Sequence, residues 1–529
     1  MLAAGDEIAN LGTIYDDTVR LAPERTAVID ATRNRSVTYR EFANQVARSG
    51  NALGKLGVEA GDRVTFFFPN ELAYLYAYFG AMRLGAVPVP VNVELFQEAI
   101  EHVVSDSGAS VVLTSEDPDV RGRAETAAES VPEVRTLAVS TTEAHVFSEG
   151  VRTVAFEDVR RSASTDLAAT EVDFKDPMLQ PYTSGSTGVP KGVVLTHGGS
   201  YWNLAAFRDV NFVDEHERVL TVTPFYHKNS LLNIKSALFG GGSAVVMDGF
   251  DAEAVLEAIE QYQVTFLTGV PAIYTALVNA EGALESHDVS SIRVGGCGSD
   301  TVPEQPYDRF EEAFGAKLLE GYGLTEGGPM VTTSPRWGVR KRGAAGIPLP
   351  GVDTRVVDPE TGAELPPGEV GELLVASPGV VSYHERPELT EERFERRDGK
   401  RFLHTGDLVK VDDDDYHYIV GRTDDMFVVG GENVYPKEVE SLLEGHDAVV
   451  EAVVVPVSHE VKGSAPVAFV VAGSEVSTER LRDYALERGP AYAHPRRVYF
   501  VDEIPLTSTE KVDRKALETE AQDRIDGPL

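Results

Sequence analysis

Apolar residues along the chain recur with two spacings, one typical of helices and one typical of buried strands. Between Phe42 and Leu56 they fall near one helical face, and Gly57 suits the end of that helix. A second helix is predicted around residues 255–262. Three short apolar runs predict strands: 111–114, 243–247 and 264–270. This alternation of strands and helices indicates α/β layers with largely parallel sheets.

The same pattern restarts near the C-terminal end of the sequence. Two apolar runs predict strands and the segment after them predicts a helix: 451–457, 465–472 and 478–488. A small α+β unit of about 100 residues fits this stretch. The sequence therefore predicts two domains, residues 1–422 and 423–529, divided within the charged, glycine-bearing turn at 420–425.

Composition excludes several classes of protein. The chain has 529 residues, of which 42% are apolar, enough for large cores. No stretch of about 18 apolar residues lacks charge or proline, so a membrane span is not expected. The N-terminus lacks the basic start and apolar core of a signal peptide, and a cytoplasmic protein is expected. The single cysteine, Cys297, excludes a disulfide framework within the chain and is interpreted as a small buried side chain.

The charge balance is strongly acidic, with a formal net charge of −37. Such a surface repels nucleic acid, so a DNA- or RNA-binding role is disfavoured. Only 13 of the 48 basic residues are lysine. An excess of acidic residues with few lysines indicates a protein from a cytoplasm at very high salt, where screening removes most of the repulsion between its charges. An ordinary acidic cytosolic protein is the alternative interpretation.

The strongest chemical signal is the sequence YTSGSTGVPKGV at 182–193. Its small residues offer closely spaced backbone N–H groups and hydroxyls suited to wrapping phosphate oxygens, and Lys191 supplies a positive charge for the same phosphates. It is not a Walker A loop, because Pro190 and Gly192 stand where that motif has Gly and Ser or Thr. Taken alone, a flexible linker fits this composition equally well. The candidate phosphate-binding residues are Thr183, Ser184, Gly185, Ser186, Thr187 and Gly188.

This loop and its lysine closely resemble the signature of the adenylate-forming superfamily, which contains acyl-CoA synthetases, adenylation domains of peptide synthetases and firefly-type luciferases. Further motifs similar to those of the superfamily follow in the same order: PFYH at 224–227, GYGLTE at 321–326, HTGDL at 404–408, GRTDDMFVVGGENVYPKEVE at 421–440 and PLTSTEKVDRKAL at 505–517. Each motif alone is weak, but six in register are specific. The resemblance implies a large N-terminal domain of layered α/β subdomains with mostly parallel sheets, and a small mobile α+β C-terminal domain.

Chemistry and resemblance together predict an ATP site. Glu326 is a hard oxygen ligand suited to Mg²⁺ that bridges ATP phosphates, with the Thr325 hydroxyl beside it. Tyr322 can stack on a purine. Asp407 can accept both ribose hydroxyl protons, and the resemblance places Arg422 there too; the alternative for Asp407 is a turn aspartate that caps its own backbone. The remaining candidates are small residues, Gly295, Gly296 and Cys297 beside adenine and Gly321 and Gly323 where the backbone approaches the ligand.

Lys511 is the candidate catalytic cation. Adenylation brings a carboxylate oxygen against the α-phosphorus, and a flexible ammonium can bridge both anions and bind them more tightly in the transition state. A solvated lysine near a charged terminus is the alternative. Glu510 departs from the superfamily, which usually has Gly before this lysine, so the rate of the first half-reaction is in question. The resemblance also places His227 beside the carboxylate, where positioning is expected more than proton transfer.

The acid itself is nearly unreadable from the sequence. The resemblance implies a pocket lined by Tyr226, Lys228 and Val270, among others. Lys228 follows His227 in a lysine-poor chain, which raises the hypothesis that it pairs with a second polar or anionic group on the acid. The alternative is a lysine that extends to solvent.

The resemblance implies two half-reactions. The acid and MgATP give acyl-AMP and pyrophosphate, and a thiol then attacks the acyl carbon while AMP leaves. The C-terminal domain is expected to rotate about Asp424 between the steps and to present Gly430, Gly431 and Glu432 to the tunnel of the thiol. Coenzyme A is the expected thiol, because the segment GGENVYPKEVE at 430–440 looks most like stand-alone acyl-CoA synthetases. An amino acid substrate is disfavoured, because the run at 224–227 lacks the aspartate with which peptide-synthetase adenylation domains usually hold an amino group.

Other interpretations stay open. One possible basic contact to coenzyme A is missing, since Ala493 stands where the superfamily's Tyr-Lys-x-Pro has its lysine. A carrier protein could be the acceptor, or the adenylate could be oxidised as in luciferases. A non-catalytic nucleotide-binding relative is suggested only by Glu510. The expected partners are a small carboxylic acid, ATP, Mg²⁺ and coenzyme A, and no nucleic acid is expected. The sequence does not decide between a monomer and a homodimer.

Overall fold

The computed structural model describes eight stretches of the chain: residues 10–142, 151–184, 189–300, 302, 304–379, 382–459, 461–506 and 512–525. No helix among them is long and apolar enough to cross a membrane. The chain divides into two compact units. The first consists of Met1–Val302, Pro306–Asp353 and Val375–Leu403, and the second of Pro303–Gln305, Thr354–Leu374 and His404–Leu529. The predicted domain boundary after residue 422 stays a prediction.

Helices occur throughout the described residues, most of them between strands. In chain order they are α1 Asp16–Leu21, α2 Tyr39–Lys55, α3 Leu72–Leu84, α4 Gln97–Ser107, α5 Pro118–Ser130, α6 Phe156–Arg161, α7 His197–Asn211, α8 Lys228–Phe239, α9 Ala252–Tyr262, α10 Pro271–Asn279, α11 Glu281–Ser286, α12 Glu304–Phe314, α13 Pro387–Glu392, α14 Pro436–Glu444, α15 Thr478–Arg488 and α16 Arg514–Arg524.

The strands are mostly short. In chain order they are β1 Thr26–Asp30, β2 Arg35–Thr38, β3 Arg63–Phe67, β4 Val87–Pro90, β5 Val111–Thr114, β6 Thr136–Val139, β7 Arg152–Ala155, β8 Pro177–Leu179, β9 Tyr182–Ser184, β10 Pro190–Thr196, β11 Arg218–Thr221, β12 Ser243–Val246, β13 Phe266–Gly269, β14 Val294–Cys297, β15 Lys317–Tyr322, β16 Thr332–Thr333, β17 Ile347–Pro348, β18 Asp353–Val357, β19 Val370–Ala376, β20 Ser382–Tyr383, β21 Phe394–Arg397, β22 Lys400–Val411, β23 His417–Arg422, β24 Phe427–Val429, β25 Glu432–Val434, β26 Val449–His459, β27 Gly463–Ala472 and β28 Arg497–Phe500.

Two sheets form most of the first unit. The larger runs β17-β16-β15-β14-β13-β11-β12-β1-β2, and its six inner strands from β15 to β1 pair in parallel. The other, β4-β3-β5-β6-β7, is parallel throughout. A small antiparallel sheet adds β20-β10-β8, with β9 on β10. The predicted α/β class with mostly parallel sheets is confirmed.

Local sequence signals explain helix α2. Thr38 accepts from the backbone N–H of Glu41, and the Glu41 carboxylate accepts from the backbone N–H of Thr38, which completes a capping box. The helix ends before Gly57, whose φ of +91° suits glycine. The predicted helix between Phe42 and Leu56 is therefore confirmed. Its apolar face packs into the main core through the buried side chains Phe42, Val46 and Leu53.

The second unit contains the small α+β arrangement that the C-terminal sequence predicts. Its sheet runs β25-β24-β27-β26, with β28 parallel to β27. The long hairpin β26–β27 covers both predicted strands, and α15 has the predicted bounds. A further sheet, β18-β19-β22-β21, carries β23 on β22.

Candidate functional site

The arms of the predicted phosphate loop form a short hairpin. Strand β9 pairs with β10 so that Thr183 lies opposite Lys191 and Ser184 opposite Pro190. The hydroxyl and the ammonium predicted to bind phosphate therefore come from facing positions. The tip of the loop and the Ser184 side chain lie outside the described residues: Gly185, Ser186, Thr187 and Gly188.

A polar network holds one arm of this hairpin. The Tyr182 hydroxyl donates to Asp106 at 2.8 Å, and Arg386 Nη2 donates to the other oxygen of Asp106 at 2.6 Å. Gln180 Nε2 donates to the Tyr182 hydroxyl at 3.1 Å. Burial and then Asp106 raise the pKa of Tyr182, so the phenol stays a donor. Sequence reasoning missed Asp106 and Arg386, because nothing local distinguishes them from other charged residues.

Glu326 is where two distant motifs meet. The Thr183 hydroxyl donates to Glu326 Oε1 at 3.3 Å, and the Tyr383 hydroxyl donates to the same oxygen at 3.1 Å. Tyr383 reaches this position because β20 pairs with β10, which places it opposite Val193. The phosphate-loop arm and the predicted magnesium ligand are thus adjacent. Sequence reasoning missed Tyr383, which belongs to none of the recognised motifs.

The donors at this point fit Mg²⁺. Among the described residues no group of three or more His, Cys, Asp and Glu side chains could hold a metal ion. Mg²⁺ usually takes one or two carboxylates and completes its octahedron with phosphate oxygens and water. The Glu326 carboxylate supplies such a ligand, and Thr325 is its neighbour in the sequence. The residues present therefore fit an ion that takes its other ligands from phosphate oxygens and water.

The other candidates of the first unit follow neighbouring parallel strands. Val270 comes directly after β13, Cys297 ends β14 and Tyr322 ends β15, and these three strands are adjacent. Tyr226 and His227 come after β11, which pairs with β13. Because parallel strands align their carboxyl ends, these residues lie at one edge of the sheet, the usual ligand-binding edge of open α/β sheets.

Packing within the chain leaves no room for a side chain at two of the candidate glycines. One belongs to the predicted adenine wall and the other to the segment Gly321–Glu326. A Cβ at Gly296 would lie 2.8 Å from the Phe266 ring, and one at Gly323 would lie 1.8 Å from the Pro329 carbonyl oxygen. Cys297 is buried, and burial raises its pKa well above the usual value. It is therefore a small apolar side chain, as expected, and a poor nucleophile.

Helix α8 begins at the predicted carboxylate site. His227 is the residue before the helix, and its ring lies 4.7 Å from that of Tyr226. Lys228, the first helical residue, donates from Nζ to the Thr325 carbonyl oxygen at 2.7 Å. Burial lowers its pKa to about 7, opposed by Glu326 and aided by Lys235. The alternative of a lysine extended to solvent is wrong, and pairing with an anionic group of the acid stays a prediction.

In the second unit, the predicted ribose residues face each other across two strands. Asp407 on β22 lies opposite Arg422 on β23, and Arg422 Nη1 donates to Asp407 Oδ1 at 2.7 Å. Asp407 is 8% exposed. Because it lies within a strand, the alternative of a turn aspartate is wrong.

Glu372 supports this segment and was missed in the sequence. Its Oε1 accepts from the Gly406 N–H at 3.0 Å, and its Oε2 lies 3.0 Å from His404 Nδ1. The carboxylate therefore holds the HTGDL segment from the adjacent strand β19.

The remaining candidates of the second unit occupy turns. Asp424 is exposed in the turn after β23, and Gly430 and Gly431 form the tight turn between β24 and β25 with φ of +63° and +94°. Glu432 is exposed at the start of β25. Lys511 and Glu510 lie outside the described residues, so the catalytic role and the departure from Gly stay predictions.

Similarity to known proteins covers nearly the whole chain. A model described as AMP-binding enzyme matches residues 15–383, and one described as AMP-binding enzyme C-terminal domain matches residues 438–511. The chain belongs to the AMP-binding enzyme family. A feruloyl-CoA synthase of Amycolatopsis sp is 36% identical over 498 residues, 93% of this chain and 95% of that protein. A 4-coumarate–CoA ligase 5 of Oryza sativa subsp. japonica is 32% identical, over 93% of this chain and 91% of that protein.

The fold of this AMP-binding enzyme is also similar to that of a solved structure. The anthranilate CoA ligase AuaEII in complex with anthranoyl-AMP superposes with a TM-score of 0.89 and 28% identity, over 98% of this chain and 99% of that chain. The resemblance stated from the motifs is thereby confirmed for the family and for the fold. Within the matched regions, Thr183, Lys191 and Glu326 fall in the first, and Lys511 is the last residue of the second.

Proposed function

We infer that this AMP-binding enzyme is an acyl-CoA synthetase. It joins a carboxylic acid to ATP to give acyl-AMP and pyrophosphate, and then transfers the acyl group to coenzyme A with release of AMP. The observation that supports this most is that the Thr183 and Tyr383 hydroxyls both donate to Glu326, so the phosphate-loop arm lies beside the predicted metal ligand. The two relatives described above are a CoA synthase and a CoA ligase, and each aligns with more than nine tenths of this chain.

Each candidate then has one task. Thr183 and Lys191 bind phosphate oxygens, and Glu326 with Thr325 would hold Mg²⁺, which supplies charge neutralisation at the phosphates when it is bound. Asp407 and Arg422 bind the ribose. Lys511 bridges the carboxylate and the α-phosphate.

We propose an aromatic carboxylic acid as the substrate. Support comes from the feruloyl-CoA, 4-coumarate and anthranilate ligases to which the chain is similar.

The test is carboxylate-dependent exchange of pyrophosphate into ATP without coenzyme A, over a panel of hydroxycinnamic, benzoic, dicarboxylic and fatty acids. We expect exchange to be strongest with aromatic acids, to be lost in Lys511→Ala, and to give the thioester once coenzyme A is added. Exchange without a thioester would point to another acceptor. No exchange with any acid in folded protein would favour a nucleotide-binding relative, and Glu510→Gly would then be tested first.

We also propose that the enzyme works at high salt. The net charge of −37 with few lysines supports this, because self-repulsion of that size is relieved only by strong screening. The melting temperature should rise steadily from dilute buffer to molar KCl, and a flat profile would contradict the proposal.

A further inference from the structure

Two lysines line one small cavity inside the first unit. Lys228 and Lys235 lie seven positions apart on α8, which is two helical turns, so they lie on the same face of the helix. The other described residues that line the cavity are five leucines, Pro329, Ser200 and Asn203, and none of them is acidic. Two of the 13 lysines of a strongly acidic chain therefore meet in a cavity without a carboxylate.

Lys235 carries a charge for which the described residues provide no partner. It is 7% exposed, and its ammonium makes no hydrogen bond or ion pair with any described residue. The centre of the Tyr78 ring lies 6.0 Å from Nζ, at the outer limit of a cation–π contact. Burial lowers the pKa of Lys235 to about 8, so the ammonium is still mostly charged at neutral pH. An isolated buried cation destabilises the folded state, and an anion beside it removes much of that cost.

Lys228 brings a second ammonium to the cavity and connects it to the predicted ATP site. Its Nζ donates to the Thr325 carbonyl oxygen at 2.7 Å. Burial lowers the pKa of Lys228, Glu326 opposes this, and Lys235 lowers it further, so the two ammonium groups repel each other. Described residues thus accept from one of the three N–H donors of Lys228 and from none of those of Lys235.

The size of the cavity decides which anion fits. Its volume is about 10 Å³, room for one water-sized particle. Phosphate, sulfate and carboxylates consist of several atoms and are too large, whereas chloride is a single atom somewhat larger than water. A water molecule is the alternative occupant, since Asn203 Oδ1 is also buried without a hydrogen-bond partner among the described residues. Water, however, leaves both ammonium charges uncompensated.

We propose that Lys228 and Lys235 bind one chloride ion in this cavity. The ion accepts hydrogen bonds from both ammonium groups and reduces the repulsion between them. Because Lys228 also bonds to Thr325, the occupied site orders the residue before Glu326. The proposal goes beyond the proposed function, since chloride binding needs neither acid nor ATP.

The first test exchanges the anion at constant potassium concentration and ionic strength. Wild type should melt a few degrees higher in molar KCl or KBr than in potassium gluconate, whose anion does not fit the cavity. Lys235→Met should lack this difference. In gluconate the variant should melt above wild type, because it has no uncompensated charge, and chloride should close part of that gap.

Lys55→Met is the matched control, because Lys55 is exposed and donates to the Ser162 carbonyl oxygen at 3.2 Å. It removes the same charge elsewhere and should keep the full difference between chloride and gluconate. Lys235→Gln, which keeps a polar side chain, should behave like Lys235→Met. Screening acts equally in both salts, so equal melting temperatures of wild type in chloride and gluconate would overturn the proposal. An equal difference in wild type and Lys235→Met would also overturn it.

Bromide locates the ion directly, because it scatters X-rays anomalously. In wild-type crystals grown in KBr we expect an anomalous peak within hydrogen-bond distance of the Nζ atoms of Lys228 and Lys235. Crystals of Lys235→Met should lack this peak. A cavity of wild type that holds water without an anomalous signal would overturn the proposal.

The KM for ATP in pyrophosphate exchange tests the connection through Thr325. In wild type we expect it to be about fivefold lower in chloride than in gluconate, and in Lys235→Met to be equal in the two salts. A wild type without exchange in either salt would refute the proposed function. The melting and diffraction results would still decide whether the chloride site exists.

Discussion

Arg422 donates a 2.7 Å hydrogen bond to Asp407 from the directly opposite position on the neighbouring antiparallel strand. The carboxylate is almost fully buried while the guanidinium is about half exposed. The arginine therefore orients the Asp407 carboxylate, the predicted acceptor of the ribose hydroxyl protons. A charged acceptor held in this way binds a diol more strongly than a freely rotating one.

Asp407→Asn should weaken ATP binding by roughly ten- to a hundredfold, since each lost hydrogen bond to a charged group is worth about 1.5–3 kcal/mol. The variant should also lose most of the preference for ATP over 2′-deoxy-ATP. Both are measured as KM values in pyrophosphate exchange. If wild type and variant discriminate equally between the two nucleotides, Asp407 does not bind the ribose.

Glu326→Gln should reduce pyrophosphate exchange by about 10²–10³ and raise the Mg²⁺ concentration needed for half-maximal rate, because a neutral amide is a weak magnesium ligand. Tyr383→Phe is the matched comparison, since it removes the 3.1 Å hydrogen bond to the same carboxylate, and the hydroxyl's bond with Arg393, but keeps Glu326 itself. Its loss should be about tenfold or less. Equal effects of the two substitutions would argue that Glu326 acts by supporting the loop and not by binding the metal.

Asp106→Asn should weaken the support of the phosphate-loop hairpin, because Asp106 bonds to Tyr182 at the start of β9. The substitution removes the charge that holds Arg386 at 2.6 Å, and it leaves one acceptor oxygen where Arg386 and the Tyr182 hydroxyl now use two. We expect the KM for ATP to rise several-fold while the KM for the acid stays near that of wild type. Calorimetric titration with ATP checks the same effect without turnover. A change confined to the melting temperature would mean that the network only stabilises the fold.

Lys235→Met should stabilise the protein near neutral pH. Lys235 is 7% exposed, and burial lowers its pKa to about 8 from 10.5. The folded state disfavours the charged form of Lys235. The free energy of unfolding is therefore highest above pH 10.5, falls as the pH is lowered from 10.5 to about 8, and stays low below that. The variant should gain up to about 3 kcal/mol at pH 7, a difference that shrinks toward zero above pH 10.5. Urea unfolding of both proteins at the two pH values measures it, and a pH-independent gain would contradict this cause.

The parts of the fold that could be predicted are those with local causes. The bounds of α15 and the hairpin β26–β27 follow from apolar spacing and flanking glycines, which act within a few residues. Candidate site residues could likewise be named wherever a motif carries its own chemistry, as those of Thr183, Glu326 and Asp407 do, and their roles stay predictions. The interpretations that failed, a turn for Asp407 and solvent for Lys228, assumed surroundings that the sequence does not contain.

The sequence by itself determined which chemical groups are present and in which order the motifs come. Only the tertiary structure decided which groups touch: Asp106 with Arg386 across 280 positions, Tyr383 with Glu326 across 57, and Lys228 with Thr325 across 97. Strand pairing and the shared edge of parallel strands create these contacts, and both depend on packing over the whole chain. A local pattern shows the preference of a segment for helix or strand, but it does not identify the distant residues that the fold brings into contact with that segment.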